Sequence, residues 1–126
     1  MNLELTKAEE KVMKILWKIK KGLIREIVQE YEDPKPAYTT VATIVKILEK
    51  KGFVHRKPVA NSFEYAPLID KKQFTHGYIQ SFVKNYFSGS YKNLVLALSQ
   101  QEDMSTENIK ELIDYFQDQL HEKKNA

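Results

Sequence analysis

At 126 residues, with 42% apolar and 11% aromatic side chains, the chain suits one domain or two small ones and is too apolar for wholesale disorder. Cysteine is absent, which excludes disulfides, thiolate metal sites and cysteine nucleophiles, and no apolar run approaches the roughly 18 residues of a membrane span. The net charge of +3 is uneven: residues 1–68 carry 13 Lys/Arg against 9 Asp/Glu, residues 69–126 carry 7 against 8, and Lys35–Pro58 carries 6 against 1. Such a local basic patch is the electrostatic footprint of nucleic-acid binding. Met1–Thr6 lacks the basic start and apolar run of a signal peptide, so a cytoplasmic protein without stable membrane association is expected.

Thr6-Lys7-Ala8-Glu9 reads as a capping box, and Val12, Met13, Leu16 and Trp17 follow at helical spacing. A first helix is predicted from Lys7 to Ile19, with Trp17 a core anchor. Lys20-Lys21-Gly22 ends it. Leu23–Tyr31 reads as a second helix, broken by the two prolines of Glu32-Asp33-Pro34-Lys35-Pro36. The third helix is predicted from Tyr38 to the stop at Gly52, with Val41, Ile44, Val45 and Leu48 at the i, i+3, i+4, i+7 spacing of a buried face. At about 100° per residue Thr39, Thr43, Lys46 and Lys50 point the other way. Threonine can meet base edges or a thymine methyl, and lysine neutralises phosphate, so this face reads as a DNA-recognition surface. Tyr38, Thr40 and Ala42 at the same helix start complete the candidate set.

After Gly52 the period changes to two. Phe53–Lys57 reads as a strand, Pro58–Asn61 as a turn and Ser62–Ala66 as the returning strand, ended by Pro67. Three helices followed by a hairpin is the order of a winged helix-turn-helix, and His55, Arg56 and Lys57 would reach the DNA backbone from the wing. Asp70 can cap a fourth helix to about Tyr86, carrying Phe74, Tyr78, Phe82 and Tyr86. Ser88-Gly89-Ser90 breaks it. A fifth helix is predicted over Tyr91–Ser99 with Leu94, Val95 and Leu98 apolar. A sixth runs from Thr106 to His121 behind a Ser105 cap, with Ile109, Leu112, Ile113, Phe116 and Leu120 apolar, before a frayed Lys123–Ala126 tail. Three amphipathic helices in so short a stretch make a thin core, so pairing with a second copy is expected in preference to packing back on the N-terminal domain.

His55, His76 and His121 are far apart and show no Glu-x-x-His pattern, and no phosphate-binding glycine loop or nucleophile elbow occurs. No metal, cofactor or enzymatic activity is expected. The fold expected is mostly α with a small β-hairpin wing: a winged helix-turn-helix over 1–68 and a three-helix dimerisation domain over 69–126.

With that order in place, the chain resembles the BlaI/MecI penicillinase-repressor family. The likeness rests on Leu5-Thr6-Lys7-Ala8-Glu9, Val12-Met13 with Leu16-Trp17, Tyr38–Thr43, Leu48–Phe53, Asn93–Leu96 and Glu102–Ser105. It implies a homodimeric repressor whose winged domains bind an inverted-repeat operator in double-stranded DNA. It implies that the C-terminal helices hold the subunits together; their apolar stripes put the dimer contacts on Phe74, Tyr78, Phe82, Leu94, Val95, Leu98, Ile109, Leu112, Ile113 and Phe116. It further implies induction by cleavage, started by a membrane-bound β-lactam sensor with a protease domain. The family's cleaved Asn-Phe pair is here Ala97-Leu98, and the cysteine-rich tail of its copper-responsive branch is absent. The competing expectations are a winged helix that binds protein only, and a repressor of this fold answering another signal through a ligand or partner.

Overall fold

The computed structural model describes residues 4–125. Met1–Leu3, read above for a signal sequence, and Ala126, at the end of the expected frayed tail, lie outside them. The elements are α1 (Lys7–Ile19), α2 (Ile24–Gln29), α3 (Tyr38–Lys51), β1 (Val54–Val59), β2 (Ser62–Pro67), α4 (Lys71–Phe87), α5 (Tyr91–Ser99) and α6 (Thr106–Lys124). They fall into two compact units, Met1–Ile79 and Gln80–Ala126.

The first unit is a winged helix. Its α1 starts at the capping box, where Thr6 Oγ1 accepts the Glu9 N–H at 3.1 Å and Glu9 Oε1 accepts the Thr6 N–H at 2.8 Å. Two residues come off the expected end of α2. There Glu30 and Tyr31 donate back over three residues, and Lys35 Nζ donates to the carbonyls of Gln29 and Tyr31. Gly52 ends α3 at φ 86°, and Phe53 donates to the Leu48 carbonyl at 2.9 Å, a Schellman-type stop. Phe53 is therefore not the first strand residue; it is wholly buried under the helix end.

The hairpin pairs Val54 with Pro67 through Val59 with Ser62, which leaves a two-residue turn at Ala60-Asn61 in place of the four expected. Pro58 is tolerated inside β1 because β1 is the edge of the sheet. On the other side of β2, Gly22 and Tyr65 exchange both backbone hydrogen bonds at 2.9 Å, adding a one-residue third strand. A side chain at Gly22 would put its Cβ 2.8 Å from the end of the Ile19 side chain, which would have to swing aside.

Val12, Met13, Leu16, Ile27, Val41, Val45, Leu48 and Phe53 form a core sealed from solvent, with Ile44, Val28 and Tyr31 packed at its edge. Trp17 anchors the far side, its Nε1 donating to the Ile69 carbonyl at 2.9 Å and its ring 5.5 Å from Phe74. Phe74 also lies 6.4 Å from Phe53. The first turns of α4, capped by Asp70 and Gln73 in exchange, thus belong to the winged unit. The compact unit runs to Ile79, beyond the division expected after Leu68.

The second unit holds the rest of α4 with α5 and α6. Ser88 and Gly89 take positive φ at the break, and Ser90 caps α5 by accepting the Asn93 N–H. Ser105 caps α6 as expected, but that helix continues to Lys124, three residues past His121 and into the expected tail. No side chain of α5 or α6 is fully buried.

Candidate nucleic-acid interface

The core pins α3 by Val41, Val45 and Leu48, and this determines what the helix shows to solvent. Thr39, Thr43, Lys46 and Lys50 are all exposed, within about 60° of helix circumference opposite the buried stripe. Tyr38 is 57% exposed but sits on the flank nearer the wing, and Thr40 lies on the opposite flank. Ala42 differs from expectation: it is half-buried and packs against the core, on the flank between Lys46 and Val45. Thr43 Oγ1 donates to the Thr39 carbonyl at 2.9 Å, so its hydroxyl proton is used inside the helix. What remains to a partner is its methyl group and its lone pairs.

The basic residues divide sharply by what they touch. Lys51 Nζ lies 2.8 and 2.9 Å from the two carboxylate oxygens of Glu9, which is buried on α1. Burial raises the Glu9 pKa, but the bond from Lys51 and the Thr6 N–H outweigh it and hold the carboxyl below its ordinary value. Arg56 is engaged from two sides: Nε is 3.4 Å from Glu49 of α3, and its guanidinium stacks 4.2 Å from the Phe63 ring centre. Lys57 and Lys21 both approach Glu64 at 3.9 Å. His55 is exposed on the wing. Lys46 and Lys50 are the cations of α3 without an ion pair among the described residues, and both lie on the open face.

Sequence reasoning missed a recess of about 190 Å³ where α2, α3 and the wing converge. Arg25, Tyr38, Asn61, Ser62 and Phe63 line it. Arg25 follows an apolar stripe in sequence and carries no signal of its own. Only the pairing of Gly22 with Tyr65, 43 positions apart, brings it beside the wing.

The residues expected at a subunit interface are not all free. Phe74 is only 7% exposed and closes the core of the first unit against Trp17 and Phe53, so it does not stand on an open face. Tyr78 is exposed beside it. In the second unit Phe82 is half-buried against Tyr86 and Phe87, at 5.2 and 5.6 Å. Leu94, Val95, Leu98, Ile109, Leu112 and Phe116 line an apolar groove of about 840 Å³ between α5 and α6, with Ile113 along it. Ala97 and Leu98 lie within α5, the first half-buried and the second exposed. Among the described residues no group of His, Asp or Glu could hold a metal ion, and no helix is long and apolar enough to cross a membrane.

The chain matches the family described as penicillinase repressor over residues 5–118. It is 31% identical over 110 residues to the methicillin resistance regulatory protein MecI of Staphylococcus aureus (strain N315), covering 86% of this chain and 89% of that one. Identity to the penicillinase repressor of Bacillus licheniformis is 26% over 122 residues, with coverage of 96% and 95%. Among solved structures it is similar to the solution structure of the DNA binding domain of the repressor BlaI, at 28% identity and a TM-score of 0.49. That match covers 56% of this chain and 87% of the other.

Proposed function

Because the chain belongs to the penicillinase-repressor family, whose members are transcriptional repressors and not enzymes, we propose that it silences its target genes as a homodimer on an inverted-repeat operator. The observation that carries this reading is the open sector of α3, where Thr39 and Thr43 stand beside the unpaired Lys46 and Lys50, all opposite a sealed core. That sector combines base-edge chemistry with phosphate neutralisation. His55 and the Arg25–Tyr38 recess lie on its wing side and would hold the DNA backbone there.

Dimerisation is assigned to the second unit. Its helices α5 and α6 leave Val95, Leu98, Leu112, Ile113 and Phe116 facing solvent around the apolar groove, a contiguous apolar face of the kind that marks an interface. A second copy would cover it and place two reading helices on two half-sites, the arrangement a two-fold operator requires.

Release is assigned to cleavage within Leu94–Ser99, at or near Ala97-Leu98, by a membrane-bound sensor protease answering a β-lactam. The cut would detach α6 with Ile109, Leu112, Ile113 and Phe116. The supporting facts are the penicillinase and methicillin-resistance names of the relatives and the exposure of α5. The protein would then work in the cytoplasm, on a double-stranded DNA operator.

One experiment addresses the binding reading: sequencing the DNA retained by the purified full-length protein from a genomic pool. An inverted repeat with a fixed half-site spacing is the expected result, and retention of DNA without sequence preference would refute it. The switch is checked by following the intact chain by mass spectrometry in cells given a β-lactam. Full derepression with the chain uncut would replace proteolysis by a ligand or partner acting on the dimer.

A further inference from the structure

Ile47 is 44% exposed on α3, and the core does not use it: Val41, Val45 and Leu48 close the buried stripe without it. By helical projection it lies about 40° from Thr43, about 60° from Lys50 and about 20° from Thr40, at the edge of the open sector on the Thr40 flank. Residues four apart on a helix are neighbours, so the Ile47 side chain stands beside that of Thr43. An isoleucine at an exposed mid-helix position is a poorer helix former than the lysines and glutamates around it, so local stability does not account for it. It has no donor and no acceptor. The only recognition it can offer is apolar contact. Its neighbour Thr43, with its hydroxyl proton committed to Thr39, offers a methyl as well. Two apolar groups therefore lie together on a face otherwise made of hydroxyls and cations.

The major-groove edge of a base pair carries one apolar group, the C5-methyl of thymine. Building on the DNA-reading role proposed for α3, we infer that Ile47 is a specificity-determining residue that recognises thymine methyl groups, with the Thr43 methyl beside it. Lys46 and Lys50 fix the register on the phosphates, and Ile47 distinguishes thymine from the other bases at the positions beneath it.

The test removes the methyl from the DNA and leaves the fold untouched. Duplexes carrying the sequence selected by the full-length protein are made with deoxyuridine in place of thymine, one position at a time, and binding is followed by fluorescence anisotropy. Wild-type protein should lose about four-fold in affinity at one or two thymines of each half-site, the worth of one buried methyl. Ile47→Ala should bind the all-thymine duplex several-fold more weakly and show no further loss at those positions. Its salt dependence should match wild type, since no phosphate contact is lost. The inference is overturned if wild type binds its selected sequence tightly and tolerates uracil everywhere. It is overturned equally if Ile47→Ala keeps the full thymine-over-uracil preference. Failure of the parent reading looks different: the selected duplex would then bind no better than a scrambled one, with or without its methyl groups.

Discussion

Glu9 serves two elements at once. Its carboxylate closes the capping box of α1 and receives Lys51 from the last turn of α3. The native pKa lies below the ordinary 4.5, so the charged form contributes stability that is full above that value and is lost as pH falls through the lowered native pKa. Glu9→Gln should cost about 2 kcal/mol at pH 7. The gap between variant and wild type should narrow in urea melts below about pH 4. A constant gap from pH 7 to pH 3 would mean that the charge contributes nothing. At Thr43 the tied hydroxyl makes a distinction between isosteres. Thr43→Ala should cost roughly 1–3 kcal/mol on the preferred operator and little on random DNA. Thr43→Val keeps a methyl where the Thr43 methyl stands and should lose clearly less. Titration of both variants against one operator checks this, and equal losses would return the hydroxyl to the reading role.

Several helix ends were written plainly in the chain, though the C-terminal ends of α2 and α6 were not. Thr6 with Glu9, Gly52, Asp70, Ser90 and Ser105 each cap or stop a helix where their chemistry says they should. The strands were blurred by Pro58, whose turn-forming habit does not apply on an edge strand. Periodicity also identified which face of each helix is apolar, but it cannot say what covers that face. Hence Phe74 read as one member of an aromatic series for a second subunit, whereas its ring fills the gap between Trp17 and Phe53. Partners distant in sequence escaped in the same way: Glu9 with Lys51 across 42 positions, and the Arg25 recess. For the wing the difference is measurable. Lys46→Ala and Lys50→Ala should each flatten the salt dependence of DNA binding by about one unit. Arg56→Ala should leave the slope nearly unchanged, because Glu49 already answers that charge. A drop of a full unit for Arg56→Ala would show that the arginine leaves Glu49 for a phosphate.

At the scale of the whole chain, the first compact unit takes in the first turns of α4 and ends at Ile79. Residues 1–79 should melt cooperatively and sediment as a monomer. Residues 1–68 lack both the Ile69 carbonyl that holds Trp17 and the Phe74 ring, and should be less stable by at least about 3 kcal/mol. Equal melting of the two fragments would deny Phe74 its place in the core. The charge pattern acts on the same scale. Of the six cations in Lys35–Pro58, four are already engaged: Lys35 by helix-end carbonyls, Lys51 by Glu9, Arg56 by Glu49 and Lys57 by Glu64. Attraction to DNA of any sequence grows with each phosphate neutralised, and a chromosome offers on the order of 10⁶–10⁹ wrong sites. A DNA-reading region that keeps four of its six cations internally occupied is held less in that reservoir. Fewer copies per cell then suffice to keep an operator filled, and the operator empties soon after their number falls.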